Sequence, residues 1–267
     1  MLSGQSVRPV EQLWQTVRSR SHGVVQAVRV AKQRLGFGSL IAPRGGPQRD
    51  AVCATVAARI LSPHSKLATS RWCQTTTLLE EFGVEGADEN DLYAGVDWLL
   101  ERRGKIRKKL AARHLVEGGP ALYELSSSYF AGQCCPLAKI GYSRDRKRNT
   151  LQVNYGLLTN RAGCPVAISG YEGNTGVART LPDQVRRLRE DFCLERLVLV
   201  GGRGMISHKA IEGLRSLEEL DWITALKSGQ IRSLVQGGAL QLDLFDERNL
   251  VEFAHPDYPG EQAHGLP

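Results

Sequence analysis

The chain has 267 residues, 42% of them hydrophobic and 24% charged, with a formal net charge of +7 and a pI near 9.2. This is ordinary composition for a soluble globular protein. No run approaches the ~20 apolar residues of a membrane span, and Met1 to Pro9 carries no signal-peptide core, so a cytoplasmic protein without a membrane partner is expected. The positive charge suits a polyanion such as nucleic acid, because Lys and Arg gain by releasing phosphate counterions.

Cys53, Cys73, Cys134, Cys135, Cys164 and Cys193 form no pair of CxxC motifs, and adjacent cysteines are poor geometry for one tetrahedral zinc. They read as small buried thiols of a reducing compartment. His22, His64, His114, His208, His255 and His264 show no HExxH or other metal spacing.

In chain order, residues up to about 115 read as helices. Val24, Val28, Ala31 and Leu35 recur at helical spacing before Gly36, a helix stop. A Gly/Pro-rich break, Ala42 to Pro47, precedes a second stripe of Val52, Val56 and Ile60, ended by Ser62-Pro63. Asp88 to Leu115 forms a long helical pattern with Leu92, Val96 and Leu99 on one face and Gly104 as an interruption. Its second half is strongly basic: Arg102, Arg103, Lys105, Arg107, Lys108, Lys109 and Arg113. Such a run is either a solvated helix face or a face that tracks phosphates.

The texture changes near Gly118. Ala121–Leu125 reads as a strand followed by the polar Ser126–Ser128. Leu151–Leu158 and Pro165–Gly170 are apolar runs joined by a hairpin turn over Thr159–Gly163. Leu181, Val185, Leu188 and Phe192 have helical spacing. Leu197–Val200 reads as a buried strand leading into the loop Gly201–Gly204. Ile211 and Leu214 suggest a helix, and Trp222–Leu226 another strand. The order strand, hairpin, helix, strand, helix, strand predicts an α/β fold around a mixed sheet. The tail from His255 to Pro267, rich in Pro and Gly, reads as irregular.

Taken one by one these segments leave the chemistry open. Taken in succession they resemble a known family. Leu122 to Phe130 is similar to the first catalytic strand of bacterial insertion-sequence DDE transposases, of the group named after insertion sequence four. It is followed by Cys135-Pro136-Leu137-Ala138, Gly141 to Asp145, Leu151-Gln152-Val153 with Gly156-Leu157-Leu158, Gly163 to Ala167, and Glu172-Gly173-Asn174-Thr175. Val198 to Ile206 resembles the second catalytic strand. The resemblance implies a helical, DNA-binding region over 1–115 and a ribonuclease-H-like mixed sheet with flanking helices over 116–267, incomplete at its C-terminal side. It implies insertion-sequence DNA ends as partner, homo-oligomer formation, and Mg2+-dependent strand cleavage and transfer in intact relatives. In that chemistry two metal ions clamp the attacking and leaving oxygens.

The departures bear on that chemistry. The family carries Asp where this chain has Glu124, and Asp before Arg-Gly where it has Gly202; its third acid, a Glu on a later helix, is expected beyond the end of the chain. The resemblance thus assigns Glu124 and Gly202 as the catalytic positions, both substituted, and Glu124 as the remaining metal ligand. Arg102, Arg103, Lys105, Lys108, Lys109 and Arg203 are the expected DNA contacts. Asp145, Glu172 and Asp183 are further acids with no physical reason to join a metal site. Little or no catalysis is expected. Two rival readings stay open: a non-enzymatic DNA-binding remnant, and a basic α/β protein with no DNA role.

Overall fold

The structure, a computed structural model, describes residues 16–143, 146–147, 149–202, 219–237, 251–255 and 258–265. Two compact units emerge, Met1–Lys109 and Leu110–Pro267.

The first unit is built from α1 (Gly23–Arg34), α2 (Phe37–Ile41), α3 (Pro47–Leu61), α4 (Lys66–Cys73), α5 (Leu78–Glu81) and most of α6 (Glu89–His114). Local chemistry sets the boundaries. Gly36 adopts the left-handed backbone, φ 64°, that separates α1 from α2. Pro47 occupies the first turn of α3, where its missing N–H costs nothing. The Ser65 hydroxyl accepts from the Ala68 N–H at the start of α4, and the Asp88 carboxylate accepts from the N–H groups of Asn90 and Asp91 ahead of α6. An isolated bridge joins Ser21 to Thr76. Val25, Ala51, Ala54, Ala57, Ala58, Leu78 and Val84 pack as one core, and Ile41, Val52 and Cys53 as another with Phe37, Trp98, Leu99 and Ile106 around them.

Three details of the helical reading are corrected. The buried face of α1 runs through Val25 and Lys32, leaving Val24, Ala31 and Leu35 exposed. The cause is Lys32, only 8% exposed. Its ammonium lies over the rings of Phe37 (4.5 Å) and Phe82 (5.0 Å) and donates to the Cys53 carbonyl, so a cation occupies a core position. In α3 the buried face is mostly alanine, and Ile60 is 61% exposed. Gly104 does not interrupt α6, which passes through it unbroken.

The second unit centres on a six-stranded sheet of β1 (Pro120–Tyr129), β2 (Lys139–Ile140), β3 (Leu151–Asn160), β4 (Pro165–Glu172), β5 (Leu197–Gly201) and β6 (Leu220–Thr224). Strands β1, β3 and β4 form an antiparallel meander; β5 runs parallel to β1, and β6 parallel to β5. The long strands therefore lie in the order β4-β3-β1-β5-β6, with short β2 sharing the outer edge of β3. This is a mixed sheet, and the fold class is α/β. Ser126–Ser128 belong to β1, because β3 pairs with that strand along its whole length, Ser128 lying opposite Val153.

Alternation sorts the sheet into two faces. Tyr123, Leu158, Ala167, Leu197 and Leu199 point to one face and form a core with Leu181, Val185 and Leu188. The last three come from α7 (Val177–Arg186) and the π-helical turn Arg187–Asp191 that continues it. Gly156 is required here, since a Cβ on it would meet the Tyr123 hydroxyl and lie 2.8 Å from its ring. The opposite face is less covered, with Ile168 56% and Ile223 58% exposed.

Past β6, α8 (Ser228–Gln236) follows. The tail, expected to be irregular, instead pairs as an antiparallel ribbon of β7 (Val251–His255) and β8 (Tyr258–Gly265). Each strand of a two-stranded ribbon is an edge, which is where Pro259 is tolerated despite lacking an N–H. The helix suggested by Ile211 and Leu214 lies outside the described residues. Only Cys53 and Cys73 are buried thiols, against the expectation for all six cysteines; Cys134 and Cys193 are exposed. Among the described residues no helix is long and apolar enough to cross a membrane.

Candidate functional site

Side-chain parity and strand pairing bring together the two positions singled out from the sequence resemblance, Glu124 and Gly202. In β1, Ala121, Tyr123 and Leu125 are buried, so Glu124 projects from the less covered face and is exposed. Parallel pairing sets Leu122 against Val200 and Tyr123 against Gly201. The next residues in that register are Glu124 and Gly202, where β5 has just ended. A Cβ built on Gly202 would lie 3.1 Å from Glu124 Oε2. The glutamate carboxylate thus leans over the place where a side chain at 202 would begin. The longer side chain of Glu spans to the neighbouring strand end, and the missing one at Gly202 leaves room for it.

The donor set does not fit the two-metal chemistry implied by the resemblance. Such a site needs several carboxylates to fix both cations and neutralise their charge. Here Glu124 supplies one carboxylate and Gly202 none. Among the described residues no group of three or more His, Cys, Asp or Glu side chains is placed to hold a metal ion.

The other acids stand apart from Glu124 for identifiable reasons. Asp183, on α7, belongs to a polar network on the covered face. It accepts from the Tyr171 hydroxyl (2.8 Å) and pairs with Arg186 (2.6 Å) and Arg187 (3.3 Å). Arg187 also donates to the Ser169 hydroxyl, and Gln184 to Tyr171 and Ser169. Partial burial opposes ionisation of Asp183, but the bonds from Arg186 and Tyr171 and the charge of Arg187 outweigh it and hold the carboxyl below its ordinary range. Tyr171 is pushed up, first by burial and then by its bond to Asp183. The network ties α7 to β4, which is a structural task. Glu172 ends β4 opposite Val153. Asp145 lies outside the described residues.

The expected DNA contacts divide into groups. Arg103, Lys105 and Lys108 are exposed along α6. Arg102 is half-buried, stacked 3.9 Å over Trp98 and paired with Glu101. Lys109, though exposed, donates to the carbonyls of Ser39 (3.2 Å) and Leu40 (3.1 Å) at the end of α2, where a cation complements the helix terminus. Arg203 lies outside the described residues. The sequence reading passed over the cations between Lys139 and Arg148 as a possible contact; their signal was a charge run beside Tyr142.

No family model and no curated protein matches the sequence. Among solved structures, the chain is similar to a piggyBac transposase synaptic complex with hairpin DNA, at 9% identity and a TM-score of 0.46, covering 78% of this chain and 46% of that one. It is also similar to the Mos1 transposase paired-end complex with left transposon end, at 13% identity and a TM-score of 0.29, covering 92% and 79%. A third likeness is to the Mos1 mariner paired end complex with Mn, at 13% identity and a TM-score of 0.28 over 85% of this chain and 82% of that one. The chain thus spans about half the length of the piggyBac protein.

Proposed function

We propose that this chain is a DNA-binding protein of the insertion-sequence transposase type, of the group named after insertion sequence four, in which strand cleavage and transfer are lost. The observation that carries the reading is the adjacency of Glu124, within β1, to Gly202, just past the end of β5, on one face of a ribonuclease-H-like sheet. The ordered sequence motifs assign an acid to both positions, and only one is present. Losing one carboxylate removes about one negative charge from a site meant to hold divalent cations. The backbone carbonyl of Gly202 is no substitute for that charge.

DNA binding in this reading belongs to the helical region, and the exposed Arg103, Lys105 and Lys108 of α6 are its cations. Arg102 and Lys109 contribute less to DNA, being engaged within the protein. Self-association on paired DNA ends completes the proposal. Fluorescence anisotropy of labelled duplex DNA across a salt series tests it. Each phosphate neutralised contributes about 0.9 to the slope of log affinity against log salt. The Arg103→Ala/Lys105→Ala/Lys108→Ala variant should therefore lower the slope by about 3. Absence of salt-dependent binding by the unmodified chain would favour the rival, a basic α/β protein without a DNA role.

A further inference from the structure

A second basic surface lies on the sheet unit, where β1, β2 and β3 end together. Tyr129 and Lys139 both pair with Gln152, from opposite sides of β3, so all three sit in one cross-strand row. Lys139 is exposed, and Tyr129 is half exposed. Beyond β2 the chain carries Tyr142, 83% exposed, and then Arg144, Asp145, Arg146, Lys147 and Arg148. Arg146 and Lys147 are exposed, and the Lys147 ammonium sits 3.4 Å from the centroid of the Tyr129 ring.

The base of this loop is held firmly. The Gly173 N–H donates to the Leu137 carbonyl, and Asn154 donates to the carbonyls of Gly173 and Thr175. A Cβ on Gly173 would collide with the Gln152 backbone and lie 2.7 Å from the Lys139 carbonyl. Lys147 N–H donates to the Ser143 hydroxyl, and the Thr150 hydroxyl donates to the Lys147 carbonyl. Arg146 and Asn149 both adopt left-handed backbone, φ 58° and 56°. Asn tolerates this region, but at Arg146 the conformation costs roughly 1–2 kcal/mol. A fixed base, a strained turn and outward cations present charge to solvent without burying it.

Exposed aromatic rings interleaved with cations on one surface match what unpaired nucleic acid requires. Cations follow the phosphates while flat rings receive bases, and stacking tolerates any sequence. A duplex keeps its bases inside and would leave Tyr142 without a partner. We infer that Tyr129, Lys139, Tyr142, Arg146 and Lys147 form a contact surface for single-stranded DNA, on the sheet face opposite the one from which Glu124 projects. The surface is therefore separate from the Glu124 position, and its contact with an unpaired strand does not depend on that residue. This rests on the DNA-binding reading above but uses residues that reading does not need.

The test measures binding of a labelled oligo-deoxythymidine and of a duplex of equal length, by anisotropy across a salt series. Four proteins are compared: the unmodified chain, Lys139→Ala/Arg146→Ala/Lys147→Ala, Tyr142→Ala, and the α6 triple variant. Circular dichroism and thermal melting confirm that each is folded. Neutralising three phosphates on a single strand contributes about 2.1 to the salt slope. The loop triple variant should lose about 2 from the slope on the single strand and much less on the duplex. Tyr142→Ala should weaken single-strand binding about tenfold while leaving its salt slope unchanged, as loss of stacking requires. The α6 variant should show the reverse preference, losing duplex more than single-strand binding. If the unmodified chain binds the single strand and both loop variants bind it equally well, the inference is overturned while the DNA-binding reading stands. If the unmodified chain binds neither DNA, both fall.

Discussion

Replacing Gly202 with Asp would place a second carboxylate beside Glu124, and the structure sets the size of the consequence. The backbone at Gly202 is not in the left-handed region, and its new Cβ would meet Glu124 Oε2 at 3.1 Å. That contact is tight, but it is made by the far end of an exposed side chain rather than by backbone, so the steric cost is small. The electrostatic cost is larger. Two carboxylates about 4 Å apart repel by about 1 kcal/mol in bulk water and about 4 kcal/mol at an effective dielectric of 20. An exposed pair belongs near the lower end, about 1–2 kcal/mol. For a unit of this size each kcal/mol moves the melting temperature by about 2–4 °C, so Gly202→Asp should melt about 2–8 °C lower in chelator. A divalent cation bridging both carboxylates reverses the sign. At a concentration of about 100 times its Kd it adds about 2.7 kcal/mol, or roughly 5–10 °C. Thermal melts with EDTA and with saturating Mn2+ read both effects. The double variant Glu124→Gln/Gly202→Asp should lose the Mn2+ response. If Gly202→Asp melts like the unmodified chain in both conditions, or responds to Mn2+ equally without Glu124, then positions 124 and 202 do not share a cation position.

Three further outcomes follow from packing and charge. Gly156→Ala drives a methyl into the ring of buried Tyr123 and should cost about 1–3 kcal/mol in urea unfolding of the sheet unit; an unchanged midpoint would contradict that packing. Asp183→Asn removes the nearer carboxylate of Arg187, whose side chain is 14% exposed, leaving Asp191 at 3.9 Å, and should cost about 1–3 kcal/mol at neutral pH. The folded Asp183 carboxyl titrates below its unfolded value, so its stabilisation is present above that unfolded value, near 3.9, and is lost as pH falls through the folded one. The gap between Asp183→Asn and the unmodified chain should therefore close in acid. Burial lowers Lys32 to about 8, so between pH 8 and about 10.4 the unfolded chain binds the extra proton and stability contributed by this group rises with pH. Lys32→Met removes that pH response, and denaturation curves of the two proteins at pH 7.5 and pH 10 should show their stability difference shift by up to about 3 kcal/mol, less the coupled titration of Cys53.

Strand and helix order was legible because apolar periodicity survives in most segments. Leu151–Asn160 and Pro165–Glu172 are apolar runs on either side of a turn, and Leu181, Val185 and Leu188 mark one side of a helix. Errors arose where a side chain of the wrong polarity holds a core position. Lys32 is buried because two aromatic rings and a carbonyl receive its ammonium, and a hydrophobic template shifts the face of α1 to avoid it. The Ser126–Ser128 run looks like a loop until β3 supplies backbone partners for every residue, which no local pattern reveals. The tail failed for a related reason: its composition discourages strands, while pairing in an isolated ribbon tolerates Pro at the edge. The candidate site was legible through motif succession alone. Spacing along the chain gives no hint that Glu124 and Gly202 meet; that depends on the parallel register of β1 and β5. The basic loop after β2 was visible as charge, but its alliance with Tyr129 depends on strand pairing that brings distant residues into one row.

The most direct test is a cleavage and strand-transfer assay with the purified chain, Mg2+ or Mn2+, and labelled duplexes carrying the DNA ends that flank its coding sequence. Salt-dependent retention of the DNA with no nicked, cut or joined product is expected, because where β1 pairs with β5 Glu124 supplies a carboxylate and Gly202 supplies none. Metal-dependent strand transfer by the unmodified chain, abolished by EDTA and unaffected by Glu124→Gln, would contradict it and place the active centre elsewhere in the molecule.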